Sequence, residues 1–318
     1  MDQGRKTQIA DNKKRIESFY LKSIYPALSK LHSEKIVLYH YTDATGLHGI
    51  LDTIILRMTN YRYLNDSSEL EYAMQLVRDK LKKILNDTNL TECQKEFSQR
   101  LSSLTALDDA QIFVSCFSET SDSLEQWRGY GSGTGGFCIE IDPWYLLLSD
   151  GDFHLRKVLY DNAKQVDIID NVLKSYLNVC VSDDFEGKSE HGYNNWMPFL
   201  IKDMAETVRD MSTWIKHPAF AMEKEWRIIR HLSSYDEKFL KTIQFRAAGR
   251  NLIPYVCFPL RSNCIPIKQC DPALAIKSVV VGPSENQALN VKSVEMLLQK
   301  CEMKIAGVTT STIPFRSL

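Results

Sequence analysis

The chain has 318 residues, 44% hydrophobic and 25% charged, enough to bury a substantial core without disulfide or metal staples. Its formal net charge of −1 gives no global pull toward nucleic acid or an anionic membrane, although a local basic patch stays open. No apolar run nears the ~20 residues that span a bilayer, and the opening MDQGRKTQIADNKKR lacks the apolar stretch of a signal peptide, so a cytoplasmic protein is expected.

In chain order, Ile16, Phe19, Tyr20, Ile24, Leu28 and Leu31 fall at helical spacing and predict an amphipathic helix over 12–32. IVLYHYT (36–42) reads as a strand, rich in β-branched and aromatic residues. Thr42 or Asp43 can cap a short helix carrying Leu47, Ile50 and Leu51, and a second strand follows at 54–59. Ser68 and Glu71 fit a capping box for a helix running to about 85, and 91–106 predicts another helix. Strands are expected at 111–119 and 136–142. The WRGYGSGTGG segment between them holds five glycines in ten residues. A strand over 153–160, helices over 163–180 and 195–216 and a strand over 222–230 come next. The last third alternates strands at 252–258, 276–282 and 303–309 with a helix at 287–300. Strands are scattered without regular strand–helix alternation, which favours α+β over a doubly wound sheet. The expected organisation is an N-terminal helix (1–33) and one α+β domain (34–318) with a helical insertion near 163–217.

Eight cysteines are present and none form a Cys-x-x-Cys pair. Several sit in apolar strands, where a free thiol behaves as a small hydrophobe. The spacing of Cys257, Cys264 and Cys270 matches no common zinc pattern. Cys116 in VSCFSE invites pairing with His40 or His217 as a nucleophile. It alternates with apolar residues and lacks a nucleophile elbow, so burial is the simpler reading.

Two places carry candidate chemistry. His40 lies inside a strand, on the face of Ile36, Leu38 and Thr42, and needs a hydrogen-bond partner there. It is either a satisfied core histidine or a ligand contact. In MEKEWRIIR, an unbroken strand puts Met222, Trp226 and Ile228 inward and Glu223, Glu225 and Arg227 on the other face. Paired carboxylates beside an arginine suit acid/base or cation-stabilising work, or else form a solvated ion pair. The glycine segment matches no phosphate or dinucleotide fingerprint. It reads as a flexible hairpin, or, with Trp127 and Tyr130 beside it, as a lid over a ligand.

LYHYT, LNDSSE, FVSCFSE, WRGYG, CIEID, EKEWR, VVVGP and IPFR occur in one order over about residues 36–316. This ordered set resembles the bacterial domain-of-unknown-function family 2971. That family in turn resembles the His-Tyr-Glu branch of the ADP-ribosyltransferase-like superfamily. The resemblance implies a split β-sheet core and cleavage of the nicotinamide–ribose bond of NAD, the substrate, with transfer of ADP-ribose to an unknown acceptor. It implies that His40 holds the ribose, that Glu225 steadies the ribosyl cation and that Glu223 activates the acceptor. A tyrosine stacks on nicotinamide, and Tyr61, Tyr63 and Tyr130 compete for that role. Tyr41, Thr42, Asn65, Ser118, Trp127 and Arg227 complete the implied cofactor contacts. No metal is required. A toxin or phage-defence effector, an NAD glycohydrolase or nucleotide-processing relative, and a non-catalytic ligand-sensing or interaction module are the readings this leaves.

Overall fold

The computed structural model describes residues 36–64, 68–103, 111–131, 135–147, 153–181, 190–232, 240–261 and 274–314, with Lys14 and Ser18. The rest of the helix expected over 12–32, together with Asn65, Cys264 and Cys270, lies outside the described residues.

The chain divides into two compact units, one helical and one built on a sheet. The helical unit contains α2 (Ser68–Leu85), α3 (Glu92–Ser102), α6 (Asn162–Val179) and α7 (Glu190–Ser212). Its core gathers Leu81, Phe97, Val172, Tyr176, Met204, Val208 and Trp214. The stretch 163–217, expected as an insertion, therefore shares a core with helices drawn from before the third strand. Caps set the ends of these helices locally. Thr91 and Gln94 form a reciprocal capping box at α3, and Asp161 accepts from Lys164 N at the start of α6.

In the sheet unit, the expected strands appear as β1 (Leu38–Thr42), β2 (Ile55–Asn60), β3 (Gln111–Ser118), β4 (Phe137–Ile141), β5 (Phe153–Lys157), β6 (Glu225–Leu232), β8 (Asn251–Pro259) and β9 (Ile276–Val281), whereas residues 303–307 of the strand expected over 303–309 are not extended and only the short β10 (Val308–Thr310) forms there. β7 (Gln244–Ala248) and the short helix α5 (Pro143–Leu147) were not legible beforehand. The remaining helices are α1 (Ala44–Thr53), capped by Asp43 through Gly46 N at 2.7 Å, α4 (Leu124–Tyr130) and α8 (Gln287–Lys300). Among the described residues, no helix is long and apolar enough to cross a membrane.

Ten described strands form one sheet in the order β10-β9-β4-β1-β3-β2-β8-β7, with β6 and β5 attached through β3. Pairing is antiparallel throughout except between β9 and β10, and the fold is α+β. β3 is the hub. Along one edge it pairs with β6 over its full length, Gln111↔Leu232 to Ser118↔Glu225. Its other edge is shared: Val114 and Phe113 face β2, while Ser118 faces Tyr39 of β1. The sheet thus forks beside β3, and β1 with β4 and β9 runs off on one arm.

Candidate functional site

Everything the sequence singled out in β1, β3 and β6 converges at the C-terminal end of β3. Register decides which side chains meet. Directly paired residues on neighbouring strands point to the same face. Tyr39 pairs Ser118, and Ser118 pairs Glu225. Tyr39, Ser118 and Glu225 therefore share one face, and His40, next to Tyr39, points to the other. The His40 ring lies 5.8 Å from that of Phe117, which is opposite Trp226. The expectation that His40 and Glu225 line one cleft is not met: their strands flank β3 rather than each other, and alternation sends the two side chains apart.

On its own face His40 is half-buried at the fork, where β1 leaves β3 and β2 has not yet joined it. Its Nδ1 donates to the Cys116 carbonyl at 2.9 Å, which places the neutral proton on Nδ1 and leaves Nε2 as an acceptor. Burial pushes the imidazole below its ordinary value, partly offset by the Cys116 bond. Thr42 shares this face at the strand end. Beyond Phe117, Glu119 accepts from Trp226 Nε1 at 2.7 Å and pairs with Lys157 at 2.5 Å, and Lys157 also lies over the Trp226 ring at 5.4 Å. Trp226 is fully buried, so this is packing stitched by one ion pair.

The other face is different. Ser278, Glu140, Tyr39, Ser118 and Glu225 form an unbroken polar row, one residue from each of β9, β4, β1, β3 and β6, each directly opposite the next. Four strand spacings make the row roughly 19 Å long. At one end, Arg227 grips both carboxylate oxygens of Glu225, Nε to Oε1 at 2.8 Å and Nη2 to Oε2 at 2.9 Å. Both residues are buried, at 5% and 1% exposure. Toward the other end, the Ser278 hydroxyl donates to Glu140 Oε2 at 2.5 Å. Glu140 is half-buried, and its Oε1 carries no hydrogen bond to a described residue. Tyr39 stands between the carboxylates. Burial raises its phenol, the charge of Glu140 adds to this, then Cys138, and a hydrogen bond with Ser121 opposes them.

The strand expected over 222–230 begins only at Glu225. Lys224 takes a left-handed backbone (φ 46°) and a 3-10 turn precedes it, so side-chain alternation is reset there. Glu223 consequently does not share the strand face of Glu225 and Arg227, and Met222, expected inward, is 68% exposed. The Glu223 carbonyl accepts from Ser118 Oγ at 2.8 Å, and Ser118 Oγ also receives Thr120 N at 3.1 Å.

The loop after β3 is fastened to β1 through Tyr41. Tyr41 OH donates to the Thr120 carbonyl at 2.7 Å and accepts from Ser123 N at 3.2 Å, and burial raises its phenol as well. Trp127 is a core residue in helix α4, edge-on to Tyr41 at 4.7 Å and packed with Cys138 and Val280. Its indole donates to Asp122 Oδ1 at 2.7 Å. Asp122 also receives Ser311 Oγ at 2.5 Å and Thr312 N at 2.8 Å, which fastens the segment after β10. The lid reading of Trp127 gives way to this packing. Gly131 and Gly282 are glycines for close approach: a side chain on Gly131 would run into the Gly135 carbonyl, and one on Gly282 would meet the Trp127 ring at 2.8 Å. Residues 132–134 lie outside the described residues. Of the stacking candidates, Tyr61 is buried, while Tyr63 and Tyr130 are exposed at 45% and 41%.

Tyr39, Glu140 and Ser278 were missed by the sequence reading. One signal was available: Glu140 is the only charged residue of the strand FCIEI.

A family described as "Protein of unknown function (DUF2971)" matches residues 126–228, about a third of the chain. The matched stretch contains Glu140, Glu225 and Arg227 and excludes β1 and β3. No curated protein and no solved structure matches the chain.

Proposed function

We propose that this chain is an ADP-ribosyltransferase-like enzyme that cleaves the nicotinamide–ribose bond of NAD, transferring ADP-ribose to an acceptor or to water, and that it works on the Tyr39 face of its sheet. The observation that carries this is the polar row Ser278–Glu140–Tyr39–Ser118–Glu225, with a carboxylate on either side of a tyrosine. Breaking an N-glycosidic bond builds positive charge on the ribose, as in glycoside hydrolysis. A carboxylate fixed before the reaction favours that transition state over the ground state. The half-buried Tyr39 hydroxyl suits a ribose rich in hydroxyl groups. The forked sheet is in keeping with the split core that the resemblance implies. His40 leaves the ligand-contacting set.

A second reading is a non-catalytic ligand-sensing module. It is favoured by the Glu225–Arg227 pair, in which each group holds the other and both are buried.

The test is to incubate the purified protein with NAD, measuring binding by calorimetry and free nicotinamide by chromatography. Binding with nicotinamide release supports the enzyme. Binding with NAD left intact selects the sensing module, and neither binding nor release overturns both.

A further inference from the structure

We infer that Glu140 is the catalytic carboxylate of the proposed reaction and that Glu225, the residue implied by the family resemblance, is a positioning residue that holds Arg227. This inference rests on the NAD-cleaving reading and names the group that performs it.

The two carboxylates of the row differ in what is left to react. Both oxygens of Glu225 are taken by one guanidinium, at 2.8 and 2.9 Å, inside a buried pair. A carboxylate neutralised in this way has little charge to offer a developing cation, and substrate cannot reach it without breaking the pair. Glu140 is anchored on one oxygen only, by the Ser278 hydroxyl. That bond anchors Oε2 and leaves Oε1, on a half-buried side chain, with no hydrogen bond to a described residue. Its cross-strand neighbour is Tyr39, the half-buried ring of the row, with which Glu140 interacts electrostatically.

The chemistry balances on these groups. The bond from ribose C1′ to the pyridinium nitrogen breaks with both electrons leaving on nitrogen, so nicotinamide departs neutral and needs no proton. Glu140 Oε1 faces the resulting ribosyl cation. Water or an acceptor hydroxyl adds to C1′ and gives its proton to Glu140, which releases it to solvent. Tyr39 flanks the ribose, and Ser278 is the positioning residue that aims Glu140.

The experiment compares full-length wild type, Glu140→Gln, Ser278→Ala, Ser278→Thr and Glu225→Gln by melting, calorimetric NAD binding and nicotinamide release. Glu140→Gln is expected to melt like wild type, to bind NAD within about threefold and to release nicotinamide roughly a hundredfold more slowly or worse. Ser278→Ala is expected to keep binding and lower kcat, and Ser278→Thr, which restores a hydroxyl donor to Glu140, is expected to recover most of the lost turnover. A melting loss in Glu225→Gln, with turnover per folded molecule falling less than in Glu140→Gln, supports the positioning role. If wild type turns over and Glu140→Gln releases nicotinamide at the wild-type rate, the assignment of Glu140 is overturned and the NAD-cleaving reading survives. A wild type that never releases nicotinamide overturns both.

Discussion

The two faces of the sheet at the end of β3 are built from adjacent residues and have opposite characters. On one, His40 bonds a backbone carbonyl, Phe117 and Trp226 are buried, and the Glu119 carboxylate is held by Lys157 and the Trp226 indole. The other carries five polar side chains in a row, with one carboxylate oxygen free of any described hydrogen-bond partner. The lesson is about alternation. In a strand, one step along the chain changes the face, so His40 and Tyr39 belong to different environments although they are covalent neighbours. A histidine early in the chain and a glutamate late in it are brought to the same strand end and still do not meet.

The largest expected effect tests whether Glu225 is structural. Glu225→Ala removes the carboxylate that grips the buried Arg227 guanidinium through two hydrogen bonds and is expected to cost about 3–5 kcal/mol in denaturant unfolding. Replacing both partners with apolar residues of similar volume, Glu225→Leu with Arg227→Met, is expected to cost less than the single change. A Glu225→Ala protein as stable as wild type would erase the distinction between the two carboxylates of the row.

Next comes the packing behind the row. Tyr41→Phe removes the donor to the Thr120 carbonyl and the acceptor for Ser123 N, at an expected cost of about 1–2 kcal/mol. Because these bonds tie the loop after β3 to the sheet, hydrogen exchange is expected to quicken at Thr120–Ser123 first. Unchanged exchange there would show that the loop is held by other contacts.

The smallest effect concerns pH. Burial holds the folded His40 below the ordinary 6.5, so it is neutral in both states above that pH. As pH falls below about 6.5 the unfolded chain takes up the proton first, and stability declines until the folded imidazole also protonates. His40→Gln, which keeps a donor for the Cys116 carbonyl, is expected to flatten this decline. A slope that survives the substitution would mean that other groups set it.

Much of the fold was legible because its causes are local. The strand over 36–42 follows from β-branched and aromatic residues, Asp43 caps the next helix, and the α+β class follows from the irregular order of elements. The site was legible only in its ingredients. Which face Glu225 takes relative to His40 depends on the pairing of three strands drawn from residues 38–42, 111–118 and 225–232, and no periodicity within one of them contains it. Lys224 turns left-handed without being a glycine, so the reset that separates Glu223 from Glu225 had no sequence mark. Tyr39 and Glu140 each look ordinary in an alternating strand, and they become a site only when β9, β4, β1, β3 and β6 lie side by side.

The central claim, that the Tyr39 face meets the ligand and the His40 face does not, is tested most directly by two substitutions at neighbouring positions. Calorimetric titration of NAD into Tyr39→Phe and His40→Gln, both shown to melt as folded proteins, compares the faces one residue apart. Tyr39→Phe is expected to weaken binding roughly tenfold, as for a lost hydrogen bond of about 1.4 kcal/mol, while His40→Gln stays within about twofold of wild type. The reverse pattern, with His40→Gln abolishing binding and Tyr39→Phe leaving it intact, would contradict that claim.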